Sequence, residues 1–218
     1  MTQITLTPEL LPESSIDSIA DAIATSGYII LPDLLPLSLV NALFIDYQAI
    51  DRSSFARAGI GREQDYQLNQ FVRTDEICWI DPSAPAINKY LSWIEILRLG
   101  INKRLFMGLF DYECQYAYYP EGAFYKKHVD AFKGSSNRVL STVTYLNPNW
   151  ATTDGGELLL FNERDEIIEN IMPMYGTMVI FLSEKFPHEV NRANKPRRSI
   201  TGWYRINTSS AEKIDPPD

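Results

Sequence analysis

Five short segments in the second half of the chain have the composition of β-strands. They are rich in β-branched and aromatic residues, and turns containing Gly, Pro or Asn separate them. The segments cover residues 109–119, 138–147, 156–161, 176–182 and 198–206. Short strands that follow one another in this way are typical of an all-β barrel or sandwich. We therefore predict that the second half folds as one β-unit.

The first half of the chain shows helical periodicity instead. Apolar residues recur at intervals of three and four, which predicts helices over residues 14–26, 36–50 and 83–105. Ser14 or Ser15 is expected to cap the first helix, and residues 27–31 are predicted to form a short buried strand. Because these helices share no obvious core of their own, we expect them to pack on the outside of the β-unit.

Residues 52–72 are polar and lack periodicity, and they include Gly59 and Gly61. This pattern predicts a long mobile loop or an irregular hairpin. Long irregular segments inside compact domains are often functional, so this segment is a candidate for contact with a substrate.

Composition excludes several classes of protein. The 218 residues carry a net charge of −8, which disfavours a general nucleic-acid binder. No apolar run reaches the roughly 18 residues of a membrane span, and the first residues lack the pattern of a signal peptide. Cys78 and Cys114 are too few and too far apart for a zinc knuckle or a disulfide framework. We expect a reduced cytoplasmic protein without a membrane partner.

Two histidines and one aspartate form a candidate metal site. His128 and Asp130 are two residues apart, and residues at this spacing point to the same side of an extended strand. His188, the only other histidine, begins the strand-like sequence HEV. Two imidazoles and one carboxylate leave three coordination positions open on a divalent metal, which suits non-haem Fe(II). By itself the His-x-Asp triplet also fits an ordinary surface or core histidine.

Two adjacent arginines follow the second histidine and are candidates for binding an anion. Either Arg197 or Arg198 could pair bidentately with the far carboxylate of a dicarboxylate cosubstrate, although a solvated basic pair is the plainer interpretation. Strand alternation separates them. One face carries Arg197, Ser199, Thr201 and Trp203, and the other carries Arg198, Ile200, Gly202, Tyr204 and Ile206. The first face has both polar and apolar side chains, which suits a barrel interior that holds a polar ligand. We therefore favour Arg197 as the residue that binds the cosubstrate carboxylate.

Motifs between residues 112 and 206 resemble a known family. They are YYPEGAFYKKHVDAF, RVLSTVTYLNPNW, GGELLLF, PMYGTMVIFLSEKFPHEV and RRSITGWYR. Together they resemble the prolyl hydroxylase branch of the Fe(II)- and 2-oxoglutarate-dependent oxygenases, and bacterial homologues of the oxygen-sensing prolyl hydroxylases in particular. The upstream sequence FVRTDEICWID resembles the segment that follows the mobile finger loop of that branch.

The resemblance implies a fold of the α+β class. Its core is a double-stranded β-helix, also described as jelly-roll or cupin-like, with flanking N-terminal helices. It further implies a single oxygenase domain over residues 1–218. Residues 1–107 would supply the helical support and the finger loop, and residues 108–208 would form the core that holds iron.

The resemblance also implies roles for individual residues. The positions that match the family's iron ligands are His128, Asp130 and His188. Those that match groups binding or flanking 2-oxoglutarate are Tyr119, Tyr145, Arg197, Thr201 and Trp203. Arg138 matches a residue near the bound polypeptide, and residues 52–72 match the finger that folds over that polypeptide.

The implied reaction is hydroxylation of a prolyl residue in a protein. It consumes O2 and 2-oxoglutarate and releases succinate and CO2, with ascorbate as a possible reductant of the iron. By analogy with microbial members of the family, the protein substrate is expected to be a translation component. Two alternatives stay open: the same chemistry on a small molecule or free amino acid, and a regulatory module whose bound metal senses oxygen.

Overall fold

The computed structural model describes residues 11–58, 71–131 and 137–207. Within these ranges the helices are α1 (Glu13–Thr25), α2 (Leu37–Ala49) and α3 (Pro85–Leu105). The strands are β1 (Tyr28–Leu31), β2 (Ala56–Arg57), β3 (Glu76–Trp79), β4 (Leu109–Tyr119), β5 (Tyr125–His128), β6 (Arg138–Tyr145), β7 (Leu158–Phe161), β8 (Ile167–Ile171), β9 (Met178–Leu182), β10 (His188–Val190) and β11 (Arg197–Ile206). Among the described residues, no helix combines the length and apolar character needed to cross a membrane.

The strands form two antiparallel sheets. The larger sheet has the order β1-β9-β6-β11-β4-β3-β2, and the smaller sheet has the order β5-β10-β7-β8. β1 pairs with β9, and β3 pairs with β4, so strands from the first half of the chain extend the larger sheet at both ends. These additions were not predicted as part of the β-unit, because pairing between distant segments leaves no local pattern in the sequence.

The larger sheet lies between the helices and the smaller sheet. On one face, Ile200 and Tyr204 of β11 belong to a core that they share with all three helices, and the Tyr204 hydroxyl donates to the Ile94 carbonyl at 2.8 Å. On the opposite face, Val143 and Phe181 pack with Leu160 and other residues of the smaller sheet. The expectation that the helices pack outside the β-unit is confirmed, and the fold is of mixed α and β class.

The predicted helices agree with the structure to within two residues at each end, but two local predictions are wrong. α1 begins at Glu13 directly after Pro12, so Ser14 and Ser15 lie inside its first turn and no described side chain caps it. β1 is only partly buried, because among the described strands it is the edge of the larger sheet and pairs with β9 alone.

The polar segment over residues 52–72 is described only at its ends. Residues Arg52–Ser54 form a single 3₁₀ turn, and β2 follows it and pairs with β3. The described beginning of the segment is therefore paired with a strand 20 residues further along the chain. Residues 59–70, on which the prediction of a mobile finger mainly depends, lie outside the described residues.

Candidate metal and cosubstrate site

Strand pairing brings the two histidines and the aspartate together. His128 ends β5 and His188 begins β10, and the antiparallel register places the two residues opposite each other. Asp130 follows β5 by two residues. His128 Nε2 is 3.7 Å from Asp130 Oδ1, and His188 Nε2 is 3.7 Å from Asp130 Oδ2. One ligand atom from each residue lies within 4.8 Å of the others, close enough for a single metal ion to reach all three.

Hydrogen bonds on the far side of each imidazole orient it toward this point. Nδ1 of His128 is 2.8 Å from the Lys126 carbonyl oxygen, and Nδ1 of His188 is 3.0 Å from the Phe186 carbonyl oxygen. A carbonyl oxygen can only accept, so both Nδ1 atoms carry the proton. Both Nε2 atoms therefore present a lone pair to the common point, as metal-binding histidines do.

The local electrostatics favour the protonation states that bind a metal. Burial lowers the pKa of His128, and the neighbouring His188 lowers it further. Burial alone would raise the pKa of Asp130, but His188, His128 and a hydrogen bond from Ser141 outweigh it and lower that pKa. The site therefore offers a neutral His128 imidazole and an ionised Asp130 carboxylate, which are the forms that bind a divalent cation.

Contacts that sequence analysis did not predict support these three residues. Ser141 Oγ donates to Asp130 Oδ2 at 2.6 Å and is 2.9 Å from Ser183 Oγ. The Tyr125 ring stacks on His128 with centroids 3.5 Å apart, and the guanidinium of Arg73 lies 4.2 Å from the same tyrosine ring. Ser141 is four residues before Tyr145 in β6, so strand parity could have placed it on the face of the site. Its contact with Asp130 is not local and leaves no sequence signal.

Arg197 is the largest fully buried charged group near this site. It is 1% exposed, and its Nε donates to the Gly156 carbonyl at 2.9 Å. Its guanidinium lies 4.8 Å from the Tyr119 ring and 5.0 Å from the Tyr145 ring. Gly156 has a φ of +70°, and a Cβ there would lie 3.1 Å from Arg197 Cδ, so glycine suits this close approach.

No acidic side chain in the described part of the chain forms an ion pair with Arg197. A buried guanidinium without a counter-charge is costly, because desolvation is not offset by an ion pair. Two buried hydroxyls on the same side of the sheet, those of Tyr145 and Ser199, also lack a hydrogen bond of normal geometry to any described residue. The two residues are directly opposite in the register of β11 and β6. This combination fits the carboxylate of a bound ligand.

The predicted faces of β11 are confirmed by packing. Arg198 points the other way from Arg197: its guanidinium lies 5.8 Å from the Tyr47 ring of α2, and its Nη1 donates to the Pro196 carbonyl at 3.2 Å. Thr201 is half-buried and lies opposite Val143.

Trp203 and Arg138 form a stacked pair on the site face of the larger sheet. The Arg138 guanidinium lies 3.6 Å from the Trp203 ring, and its Nε donates to Glu113 Oε1 at 2.7 Å. Trp203 Nε1 is buried and has no hydrogen-bond partner in the part of the chain that the structure describes. The charge of Arg138 also contributes to the lowered pKa of Asp130. The structure therefore brings Arg138 close to the three metal-binding candidates but outside their group.

The fold and the site together define a class of protein. Two packed antiparallel sheets carry a two-histidine, one-carboxylate group. A buried arginine lies on the same side of the larger sheet and has no acidic partner among residues 11–58, 71–131 and 137–207. This donor set fits non-haem Fe(II) with coordination positions left open for other molecules.

Comparison with known proteins agrees with this class. Residues 114–205 match the model of the 2OG-Fe(II) oxygenase superfamily. A Pseudomonas putida prolyl-4-hydroxylase structure shares 38% identity at a TM-score of 0.79, over 88% of this chain and 98% of that one. A Trichoplax adhaerens prolyl hydroxylase, solved with a hypoxia inducible factor peptide fragment, shares 27% identity at a TM-score of 0.78, over 88% of this chain and 90% of that one. The chain belongs to the 2OG-Fe(II) oxygenase superfamily, in its prolyl hydroxylase branch.

The match to animal relatives is partial. The mouse prolyl hydroxylase EGLN3 is 32% identical over 156 residues, which are 68% of this chain and 62% of that protein. The chain thus spans less than two thirds of the length of this curated relative. Enzymes of the superfamily use Fe(II), 2-oxoglutarate and O2. The two histidines and the aspartate suit Fe(II), and the buried Arg197 suits a carboxylate of 2-oxoglutarate.

Proposed function

We propose that this protein hydroxylates a prolyl residue of a polypeptide. O2 and 2-oxoglutarate are consumed, one oxygen atom enters the prolyl ring, and succinate and CO2 are released. The observation that carries the proposal is the buried Arg197, which has no acidic partner among the described residues and lies on the same side of the larger sheet as the three metal-binding candidates. A dicarboxylate bound between arginine and metal would satisfy both.

In this proposal His128, Asp130 and His188 hold Fe(II), which together with 2-oxoglutarate supplies the oxidant for an unactivated C–H bond. Arg197 pairs with the far carboxylate of 2-oxoglutarate. The hydroxyls of Tyr145 and Ser199, which lack a hydrogen bond of normal geometry to any described residue, donate to the same carboxylate. The protein itself orients the cosubstrate and excludes water from the site.

Tyr119, Thr201 and Trp203 complete the proposed surroundings of the cosubstrate. The Tyr119 ring lies against the guanidinium of Arg197, and burial raises the pKa of its hydroxyl, which therefore stays protonated. Thr201 and Trp203 follow Arg197 on the same face of β11. Their contribution is to shape the wall of the pocket.

A polypeptide substrate is favoured over a free amino acid. Arg138 and Trp203 stack beside the metal-binding candidates, and Glu113 holds the Arg138 guanidinium in place. An arginine fixed in this way can donate to backbone carbonyls of a bound chain. The Trichoplax neighbour was solved with a peptide fragment, which supports the same class of substrate. A translation component remains our candidate for the polypeptide, and residues 52–72 remain our candidate for a finger that closes over it.

We also propose that the two sheets form a double-stranded β-helix and that residues 1–218 act as one oxygenase domain. One core shared by the helices and the larger sheet supports a single domain, with residues 1–107 as its support and 108–208 as its iron-binding part. Cys78 and Cys114 are both free thiols, which supports a reducing, cytoplasmic location.

The test is to incubate the iron-loaded protein and 2-oxoglutarate with proteins of the source cell and to map peptides that gain one oxygen atom. Oxygen gained at specific prolines, and lost in the His188→Ala variant, is the expected result. Free proline forms a second arm. If free proline is hydroxylated and no protein is, the substrate is a small molecule. If neither is modified but the metal binds tightly, the oxygen-sensing module becomes the better account.

A further inference from the structure

The buried hydroxyls of Ser141 and Ser183 form a chain that ends on Asp130. Ser141 lies on β6 and Ser183 directly follows β9, and both side chains are fully buried. Ser141 Oγ is 2.6 Å from Asp130 Oδ2, and the two serine oxygens are 2.9 Å apart. The backbone N–H of Ser183 donates to the Val139 carbonyl, which anchors the second serine to β6.

The direction of both hydrogen bonds follows from the donors available. An ionised carboxylate can only accept, so the single proton of Ser141 points at Asp130 Oδ2. Ser141 Oγ then has no proton left for Ser183, and Ser183 must donate to it. Donation polarises the Ser141 hydroxyl and strengthens its bond to the carboxylate.

We propose that Ser141 and Ser183 are positioning residues that decide which oxygen of Asp130 binds the metal. Each carboxylate oxygen lies 3.7 Å from one imidazole, Oδ1 from His128 Nε2 and Oδ2 from His188 Nε2. Only the hydrogen bond from Ser141 to Oδ2 distinguishes the two oxygens among the described contacts, and it leaves Oδ1 as the oxygen that binds the metal. A carboxylate that bound through both oxygens would use one more coordination position, and fewer would remain for cosubstrate and O2.

This inference rests on the proposed metal site, so its test measures metal binding and geometry rather than turnover. Mn(II) affinity of the metal-free protein is measured by electron paramagnetic resonance. The visible spectrum of the Co(II)-loaded protein reports coordination number. In Ser141→Ala we expect Mn(II) affinity to fall by roughly tenfold or more, as is common when a hydrogen bond to a metal ligand is lost, and the Co(II) spectrum to change.

Three further variants separate positioning from packing. Ser141→Thr keeps the hydroxyl and should restore both affinity and spectrum, whereas Ser141→Cys keeps the volume but is a weak donor and should resemble Ser141→Ala. Thr142→Val is the matched control. Thr142 is buried on the opposite face of the same strand, where its hydroxyl meets Tyr112 at 2.8 Å, so its loss should cost stability without changing metal binding.

Ser183→Ala tests the second member of the chain. Ser141 keeps its bond to Asp130 in that variant, so the affinity loss should be smaller than in Ser141→Ala. Unchanged affinity and spectrum in Ser141→Ala, or a change that Ser141→Thr fails to reverse, would overturn the proposal. Asp130→Ala tests the proposed metal site on which this inference rests. If that variant binds Mn(II) as tightly as the unmodified protein, the assignment of the metal site is wrong.

Discussion

Replacing Arg197 by Met separates ligand binding from protein stability. Methionine fills a similar volume without the charge. If the guanidinium pairs with a cosubstrate carboxylate, its loss should cost about 2–5 kcal/mol of binding free energy. Since about 1.4 kcal/mol corresponds to tenfold, 2-oxoglutarate should bind at least tenfold more weakly.

The same substitution should not destabilise the ligand-free protein. Arg197 is 1% exposed and has a hydrogen bond to the Gly156 carbonyl but no acidic partner among the described residues. Burying a charge without a counter-charge is costly, so an apolar side chain of similar volume removes that cost and offsets the lost hydrogen bond to Gly156. Most buried arginines hold a structural ion pair, and their removal is destabilising. Weaker binding without lost stability is therefore the signature of an arginine kept for a ligand.

The assay is calorimetric titration of 2-oxoglutarate into the Mn(II)-loaded protein, together with urea unfolding of the ligand-free protein. Arg198→Met is the matched control, because Arg198 lies on the opposite face of β11 and contacts Tyr47 of α2. We expect the control to change cosubstrate affinity little. Unaltered affinity in Arg197→Met, or a larger loss in Arg198→Met, would refute the assignment of Arg197 to the cosubstrate.

Three further predictions concern the metal site and the core. His188→Ala should abolish tight Mn(II) binding and 2-oxoglutarate turnover, because two protein ligands hold the ion poorly; retained binding on titration would contradict the site. Burial lowers the pKa of His128 below its ordinary value of about 6.5, so the metal-free protein should lose stability as pH falls below that value. Urea unfolding at neutral and mildly acidic pH measures this loss, which should be smaller in His128→Gln. Tyr204→Phe removes the hydrogen bond to the Ile94 carbonyl and should cost about 1 kcal/mol in urea unfolding without altering metal affinity, whereas a loss of metal binding would show that the two faces of the sheet are coupled.

Local periodicity was enough to predict a large part of the fold. The three helices were found from apolar spacing, and the alternation of β11 separated Arg197 from Arg198 correctly. Both patterns depend only on backbone geometry that repeats every few residues, so they can be read from one segment at a time. The spacing of His128 and Asp130 is information of the same kind, since residues two apart point the same way in extended chain.

Only the tertiary structure decided how distant segments meet. The antiparallel register of β10 with β5 places His188 opposite His128, 60 positions earlier in the sequence. Ser141 and Asp130 meet because β6 and the end of β5 converge, and a buried serine carries no sequence pattern that marks such a contact. The absence of an acidic partner for Arg197 among the described residues is likewise a property of the packed chain. Pairing and burial depend on long-range contacts, and the sequence by itself determines them only through the whole fold.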